Sequence, residues 1–144
     1  MSNKRVVYMC GTWDPFHIGH LNAIQTAANL GDILVIGVAT DDFIREDKNR
    51  EPFHPFCDRS RILAELRSVD FVVPISGPED MVYMDLFHVN IVVIGQLYGK
   101  GDSPRAICRR KAEKLLRKRA VHIVRMPKTP NVSSTRIREG VTHV

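Results

Sequence analysis

Two histidines, His17 and His20, stand three positions apart where a helix is predicted to begin. This spacing places both side chains on one face of the helix, so both can point into the same pocket. The first turn of a helix also carries unpaired backbone N–H groups and the positive end of the helix dipole. Imidazoles that donate hydrogen bonds beside such a turn suit phosphate oxygens. The pattern therefore predicts a site for a polyphosphate.

The segments on either side explain how the histidines are positioned. Residues 6–9 form an apolar run that predicts a buried strand, and residues 21–30 predict an amphipathic helix. Gly11 and Gly19, in the turn between them, allow the backbone to approach a ligand closely. The alternative is a pair of ordinary core or surface histidines. The strand–turn–helix setting favours the ligand site over that alternative.

Residues 11–20 read Gly-Thr-Trp-Asp-Pro-Phe-His-Ile-Gly-His, which resembles the GTFDxxHxGH signature of the nucleotidyltransferase superfamily. Within that superfamily the chain is most similar to cytidylyltransferases that act on glycerol 3-phosphate. The resemblance implies catalytic roles for His17 and His20 and an acceptor-binding role for Asp14. It also implies nucleotide contacts at Gly11, Thr12, Trp13, Phe16 and Gly19.

Two segments further along the chain extend the resemblance toward the acceptor. Residues 41–52 are highly charged and are predicted to form a long loop, in which Lys48 and Arg50 match the basic pair that reaches the triphosphate and the acceptor. Residues 67–70, Arg-Ser-Val-Asp, are similar to the R-Y-V-D of cytidylyltransferases. Lys48 and Arg67 are therefore expected in both catalysis and acceptor binding, and Arg50 and Arg59 in acceptor binding. A solvated loop and an arginine that only complements a helix dipole are the alternatives.

Near the end of the chain, residues 126–137 resemble the R-T-x-G-I-S-T-T-x-I motif. Lys128 stands where the family carries arginine, and a hydroxyl cluster follows that could cap a helix and bind phosphate. After the fourth strand, Gly95 and Gln96 replace the Gly-Asp of related cytidylyltransferases, so an amide stands in place of a carboxylate. The residues of these segments expected to contact the nucleotide are Gly95, Gln96, Lys128, Ser133, Ser134, Thr135 and Arg136.

The order of apolar runs defines the fold class. Runs that predict five strands alternate with helical patterns, which favours an α/β fold with parallel strands and right-handed crossovers. We expect a single Rossmann-like doubly wound domain over residues 1–144, with a five-stranded parallel sheet and its ligand at the carboxyl ends of the strands.

Three cysteines without metal-type spacing, together with the absence of a signal peptide or membrane span, predict a cytoplasmic protein.

The net charge of +5 is concentrated in one segment. Residues 105–119 carry eight basic side chains against one acidic one, and their apolar residues fall at helical spacing, which predicts a basic amphipathic helix. A nucleic-acid-binding module is therefore an alternative function. Phosphate contacts alone would make such binding weak and salt-dependent. A solvated helix face explains the same charges, so no nucleic-acid partner is expected.

Together these observations predict an enzyme that transfers CMP from CTP to a small phosphorylated alcohol, releasing pyrophosphate. Glycerol 3-phosphate is the leading acceptor. An adenylyltransferase acting on FMN, phosphopantetheine or a sugar phosphate is the alternative. Mg²⁺ is expected as a cofactor held mainly by the nucleotide phosphates, with no dedicated protein metal site. The resemblance, together with apolar side chains expected to be exposed at Trp13 and Phe16, further predicts a homodimer.

Overall fold

A computed structural model of the protein describes residues 3–140, in which one parallel sheet lies between two layers of helices. In chain order the elements are β1 (Val6–Gly11), α1 (Ile18–Ala28), β2 (Ile33–Ala39), α2 (Asp41–Lys48), α3 (Phe56–Ala64), β3 (Phe71–Ile75), α4 (Val82–Leu86), β4 (Ile91–Gly95), α5 (Pro104–Lys118), β5 (His122–Met126) and α6 (Ser134–Arg138).

The sheet has five parallel strands in the order β3-β2-β1-β4-β5. This confirms the predicted α/β, Rossmann-like arrangement. The strand order changes direction between β1 and β4, and ligands of such sheets bind beside the carboxyl ends of strands at that point. Strands β2 and β4 are apolar throughout because helices cover both faces of the sheet.

Each face of the sheet packs a core of its own. On one face Val7, Leu34 and Ile36 pack against Ile24 of α1 and Leu63 of α3. On the other face, the strand residues Tyr8 and Val35 belong to a cluster with Phe43 and Ile44 of α2, Met84 of α4 and Leu116 of α5. Successive residues of one strand therefore face different helix layers. Because of this alternation, the neighbouring residues Met9 and Cys10 line two different cavities at the carboxyl end of β1.

The predicted loop over residues 41–52 is wrong for its first eight residues, which form α2. Thr40 begins the helix, its hydroxyl accepting the N–H of Phe43, and Asn49 ends it in the left-handed region at φ 52°. Phe43 and Ile44 are buried and attach the helix to the core. Two adjacent apolar residues are too few to register as a helical period in a charged segment. The structure nevertheless stabilises the helix through them.

Asp14 joins the β1–α1 turn to the segment that follows α2. Its carboxylate is buried and accepts the backbone N–H groups of Phe53 at 2.6 Å and His54 at 2.8 Å. Arg50 contacts the same carboxylate at 3.5 Å. Both oxygens are thus directed at the protein's own chain. The expected acceptor contact of Asp14 is corrected to a structural role that positions the segment carrying Arg50.

Arg59 has a similar structural role beneath the site. It is 2% exposed, and its guanidinium donates to the carbonyl oxygens of Thr12, Ala39 and His54 and to the carboxylate of Asp41 at 2.7–2.9 Å. These bonds connect the ends of β1 and β2 to α2 and to the segment before α3. Because the side chain points into the protein, its expected acceptor-binding role is replaced by a structural one.

Trp13 is buried, which corrects the expectation that it is exposed for dimer formation. Its indole N–H donates to the carbonyl of Gly37 at 2.9 Å, and only 3% of the residue is exposed. Phe16 is half-buried and packs against the core cluster that contains Trp13 and Ile24. Both side chains therefore support the histidine turn from beneath.

Arg67 lies beside the amino ends of the strands, whereas the histidine turn follows the carboxyl end of β1. It is exposed in the segment before β3, where Asp70 accepts the N–H of Leu34 near the amino end of β2. Because the strands are parallel, Arg67 is at the opposite end of the sheet from His17 and His20, which lie at the carboxyl ends of the strands. The chain does not bring Arg67 to these residues.

The arginines of the predicted basic helix, now α5 and its end, are mostly engaged within the protein. Arg105 and Arg109 pair with Asp47, and Arg110 donates to two carbonyl groups. Arg117 pairs with Glu113, and Arg119 with Asp85. These contacts reduce the number of guanidinium groups that could bind a nucleic-acid backbone.

Replacing Arg59 tests its structural role. Arg59→Met removes a buried cation and leaves Asp41 and three carbonyl groups without their partner, so the free energy of unfolding should fall by about 3–5 kcal/mol. Urea denaturation measures this change. Arg61→Ala, on an exposed side chain of the same helix, is the matched control and should cost less than about 1 kcal/mol. Equal stability of the two variants would contradict the structural role.

Candidate functional site

A pocket of about 340 Å³ opens at the carboxyl ends of β1, β4 and β5, beside the first turn of α1. We refer to it as the histidine pocket. Its walls are formed by Met9, His17, Gly19, His20, Ala23, Lys48, Gly95, Met126, Pro127, Lys128, Thr129, Val132, Ser133, Ser134, Thr135 and Arg138. Most segments singled out by sequence meet here, although they are far apart along the chain.

The side chain of His17 caps the amino terminus of α1. Its Nδ1 accepts the backbone N–H of Gly19 at 3.0 Å and that of His20 at 3.4 Å. A nitrogen that accepts these bonds carries no proton, so the proton of the neutral ring is on Nε2. The cap that stabilises the helix therefore also leaves Nε2–H as the donor of His17.

His20 completes the cap in the reverse direction. Its Nδ1 accepts the backbone N–H of His17 at 3.2 Å, and the two rings stack with centroids 3.8 Å apart. Burial, followed by the nearby His17 and Lys48, lowers the pKa of His20 to about 3. The ring is therefore neutral near pH 7. Like His17, it has Nε2–H as its donor.

Gly19 is required by this close arrangement. A Cβ at this position would lie 2.8 Å from Cε1 of His17, closer than side-chain carbons approach, and in a tight contact of 3.2 Å with Val132. Trp13 contacts His20 edge-on from below, with ring centroids 5.2 Å apart. Phe16 lies at a similar distance of 5.3 Å. The glycine and the two aromatic rings thus fix the orientation of the histidines.

The segment at α6 forms the opposite wall of the pocket. Ser133 caps α6 by accepting the N–H of Arg136, and the hydroxyl of Ser134 donates to the carbonyl of Pro15 at 2.9 Å. The second bond attaches α6 directly to the histidine turn. Lys128 and Thr135 also line the wall. The predicted nucleotide-binding segment is therefore adjacent to the histidines, while Gln96 is exposed just beyond Gly95.

Arg138 lines the pocket although sequence analysis did not select it. Its guanidinium donates to the carbonyl of Asp14 at 3.0 Å and to the hydroxyl of Thr135 at 3.1 Å. The expected side chain, Arg136, lies two residues earlier on the same short helix. A one-turn helix with arginines two residues apart directs them differently, and no sequence signal separated the two.

Three cations, Lys48, Arg50 and Arg138, surround this end of the site. Burial, followed by the positive charges of Arg105, Arg50 and Arg138, lowers the pKa of Lys48 to about 8. Burial and Arg50 also lower the pKa of Arg138. In addition, Nη2 of Arg50 is buried without a hydrogen-bond partner. Cations that repel one another around an unsatisfied donor are suited to an anionic ligand.

The chain is similar to known proteins over most of its length. A sequence model of the family described as Cytidylyltransferase-like matches residues 8–140. Glycerol-3-phosphate cytidylyltransferase of Bacillus subtilis (strain 168) is 30% identical over 133 residues, which cover 91% of this chain and 92% of that protein. FAD synthase of Thermococcus onnurineus (strain NA1) is 36% identical over 121 residues, covering 81% of this chain and 75% of that protein.

Other relatives are longer than this chain. Ethanolamine-phosphate cytidylyltransferase of Dictyostelium discoideum is 38% identical over 97 residues, which cover 65% of this chain but only 26% of that protein. Among solved structures, the crystal structure of the lipopolysaccharide core biosynthesis protein from Thermoplasma volcanium GSS1 superimposes with a TM-score of 0.70. It is 27% identical, and the match covers 88% of this chain and 99% of that chain.

The two functions of His17 can be separated by substitution. Asparagine is a favoured helix cap, so His17→Asn should keep the start of α1 while removing the Nε2–H donor. We expect turnover to fall about 100- to 1,000-fold with a melting temperature close to that of the wild type. His17→Ala loses both functions and should also destabilise the protein by about 1 kcal/mol. Near-normal turnover in His17→Asn would refute the donor role.

The pKa of Lys48 predicts an alkaline limit to activity. As pH rises through about 8 the ammonium of Lys48 loses its proton, so kcat/KM should fall if that charge binds substrate. Lys48→Arg keeps the charge and should move this limb to higher pH. His20, with a pKa of about 3, cannot produce a limb in that range. An alkaline limb that is identical in the wild type and Lys48→Arg would contradict this assignment.

Proposed function

The chain belongs to the cytidylyltransferase-like family of enzymes, and from that premise we propose that it transfers CMP from CTP to a small phosphorylated alcohol. Glycerol 3-phosphate is the first acceptor we propose, and the products are a CDP-alcohol and pyrophosphate. One observation carries the proposal. Two neutral imidazoles, each with Nε2–H as its donor, share a pocket wall with Lys48 and Arg138.

This arrangement suits nucleotidyl transfer because the acceptor needs little activation. The second pKa of a phosphomonoester is about 6, so its phosphate is largely a dianion at neutral pH and can attack phosphorus without a general base. The protein must then position the reactants in line and stabilise the charge that develops on the leaving pyrophosphate. His17 and His20 donate to those phosphate oxygens, and Lys48, Arg50 and Arg138 supply positive charge around them.

Mg²⁺ is proposed as a cofactor bound through the nucleotide. Mg²⁺ retains several waters and prefers phosphate oxygens, and when bound it neutralises phosphate charge. The carboxylate of Asp14 does not offer itself as a ligand, because both oxygens accept backbone N–H groups. Across residues 3–140 no group of three or more His, Cys, Asp or Glu side chains is arranged to hold a metal ion. Coordination by the nucleotide is consistent with this donor set.

The preference for CTP rests on the similarity to cytidylyltransferases. Gln96 replaces the acidic residue of that group, and its amide oxygen can still accept a hydrogen bond from the exocyclic amine of cytosine. An adenylyltransferase acting on FMN or a sugar phosphate is the second candidate. The 36% identity to an FAD synthase favours it.

We further propose a homodimer and a cytoplasmic location. Ile18 and Phe53, both beside the site in sequence, are each 56% exposed, which supports association through this surface. The three cysteines are free thiols, as expected in a reducing compartment. Residues 3–140 contain no helix long and apolar enough to cross a membrane. Light scattering at micromolar concentration should give twice the chain mass, and a monomer would contradict the dimer.

A matrix of substrates tests the proposed reaction. Pyrophosphate release should be measured with CTP, ATP, GTP and UTP, each paired with glycerol 3-phosphate, phosphoethanolamine, a sugar 1-phosphate and FMN. We expect the largest kcat/KM for CTP with glycerol 3-phosphate, and discrimination against ATP of several powers of ten if hydrogen bonds read the cytosine edge. Highest activity with ATP would establish the adenylyltransferase alternative. Activity with no pair would contradict both.

A further inference from the structure

The last turn of α2 is attached to α5 through one carboxylate. Asp47 accepts hydrogen bonds from both terminal nitrogens of Arg109, at 2.8 and 2.9 Å, and from Nε of Arg105 at 3.0 Å. The side chain of Asp47 is only 10% exposed. Burial alone would raise the pKa of this carboxyl, but the bonds from Arg109 and Arg105 outweigh burial and lower the pKa. Because a bidentate pair fixes orientation as well as distance, it determines how the end of α2 lies against α5.

Lys48 follows Asp47 directly and is the last residue of α2. The two neighbouring side chains have different surroundings, since Lys48 lines the histidine pocket and Asp47 binds α5. Beyond Lys48 the chain turns at Asn49, and Arg50 then contacts the carboxylate of Asp14 at 3.5 Å. The backbone of Lys48 is therefore held from both sides.

The helix α5 also holds the segment that follows β4. Arg110 donates to the carbonyl groups of Gly99 at 2.7 Å and Gly101 at 2.6 Å. This segment leaves the sheet at Gly95, which lines the histidine pocket as Lys48 does. The described structure includes all of α5, and none of its residues lines that pocket. The helix thus supports two walls of the pocket from behind.

Stability alone is a weak explanation for the pair between Asp47 and Arg109. Phe43 and Ile44 already attach α2 to the core through buried apolar contacts. For a buried ion pair, the cost of removing both charges from water offsets much of their attraction, so apolar residues of similar volume often stabilise a protein as well. The pair supplies what an apolar contact does not, which is a defined direction for the last turn of α2.

We propose that Asp47 is a positioning residue: Arg109 holds its carboxylate, and this pair fixes the last turn of α2 so that Lys48 is directed at the phosphates of a nucleotide in the histidine pocket. The catalytic consequence of this inference rests on the proposed function. In this role neither Asp47 nor Arg109 touches the nucleotide. Both act through Lys48.

Turnover should respond to loss of the pair in two ways. Misplacing a binding group by about 1 Å can cost about 100-fold in rate, so Arg109→Gln should lower kcat/KM for the nucleotide about 10- to 100-fold. Asp47→Asn should also change the pH profile. Burial lowers the pKa of Lys48 to about 8, and Asp47 opposes that shift while three cations add to it, namely Arg105, Arg50 and Arg138. Without the Asp47 charge, the alkaline limb should move below pH 8.

A binding cycle with Lys48 tests the inference without requiring turnover. Inorganic tripolyphosphate is titrated by calorimetry into the wild type, Arg109→Gln, Lys48→Ala and the double variant, after circular dichroism has verified folding. Arg109→Gln should raise the Kd about tenfold, the loss expected for one hydrogen bond to a charged group. In the Lys48→Ala background the same substitution should change the Kd by less than about twofold, because its effect passes through Lys48.

Arg117→Gln is the matched control. It removes one cation from the same helix, but Arg117 pairs with Glu113 and lines neither the histidine pocket nor the cavity that contains Asp47. Its Kd should stay within about twofold of the wild type, as expected for an exposed ion pair. Arg109→Lys keeps the charge without the bidentate geometry and should restore only part of the affinity. If Arg109→Gln does not fold, Asp47→Asn takes its place in the cycle.

The outcomes separate this inference from the proposed function. Equal weakening by Arg109→Gln with and without Lys48 would overturn the inference, because Arg109 would then act on the anion directly. Unchanged affinity in every folded variant of the pair would overturn it as well, and so would a wild type that does not bind tripolyphosphate. If the cycle shows the expected coupling but no nucleotide and acceptor release pyrophosphate, the proposed function is wrong and the positioning of Lys48 stands.

Discussion

The reciprocal cap between His17 and His20 is the interaction on which the site depends. Each Nδ1 accepts backbone N–H groups at the start of α1, so one set of hydrogen bonds begins the helix and fixes both tautomers. The hydrogen bonds that stabilise the helix are therefore the same ones that place the proton of each ring on Nε2. A substitution that kept only the helix cap would lose the hydrogen-bond donor, because Nδ1 of each ring forms the cap and Nε2 of the same ring carries the proton.

Two buried charged side chains hold the frame around that cap. Asp14 fixes the segment after α2 through backbone amides, and Arg59 joins the ends of β1 and β2 to the segments beside them. Buried charges are costly unless they are fully hydrogen-bonded, and both residues meet that condition. They resemble substrate-binding groups in sequence, yet their role is to position Lys48, Arg50 and the histidine turn.

Charge is distributed unevenly between the surface and the site. Along α5 and its end, most arginines are neutralised by acids or carbonyl groups of the protein, which weakens the case for a nucleic-acid interface. Lys48, Arg50 and Arg138 instead cluster together. The acids near them are Asp14, which is bound to backbone amides, Asp47, which is paired with Arg105 and Arg109, and Glu139. Mutual repulsion among these cations lowers the pKa of Lys48 and of Arg138, which is a favourable setting for an anionic ligand.

Local patterns in the sequence were sufficient for the fold class and the centre of the site. Apolar runs predicted the five parallel strands, and the spacing of His17 and His20 predicted that both rings lie together at the start of α1, since these features depend only on near neighbours. Other outcomes depended on contacts distant along the chain. Only the tertiary structure buried Arg59 and Trp13, formed α2 around Phe43 and Ile44, and left Arg67 at the far edge of the sheet. It also directed Arg138 into the pocket, because burial and side-chain direction are decided by what packs against a residue and not by its type.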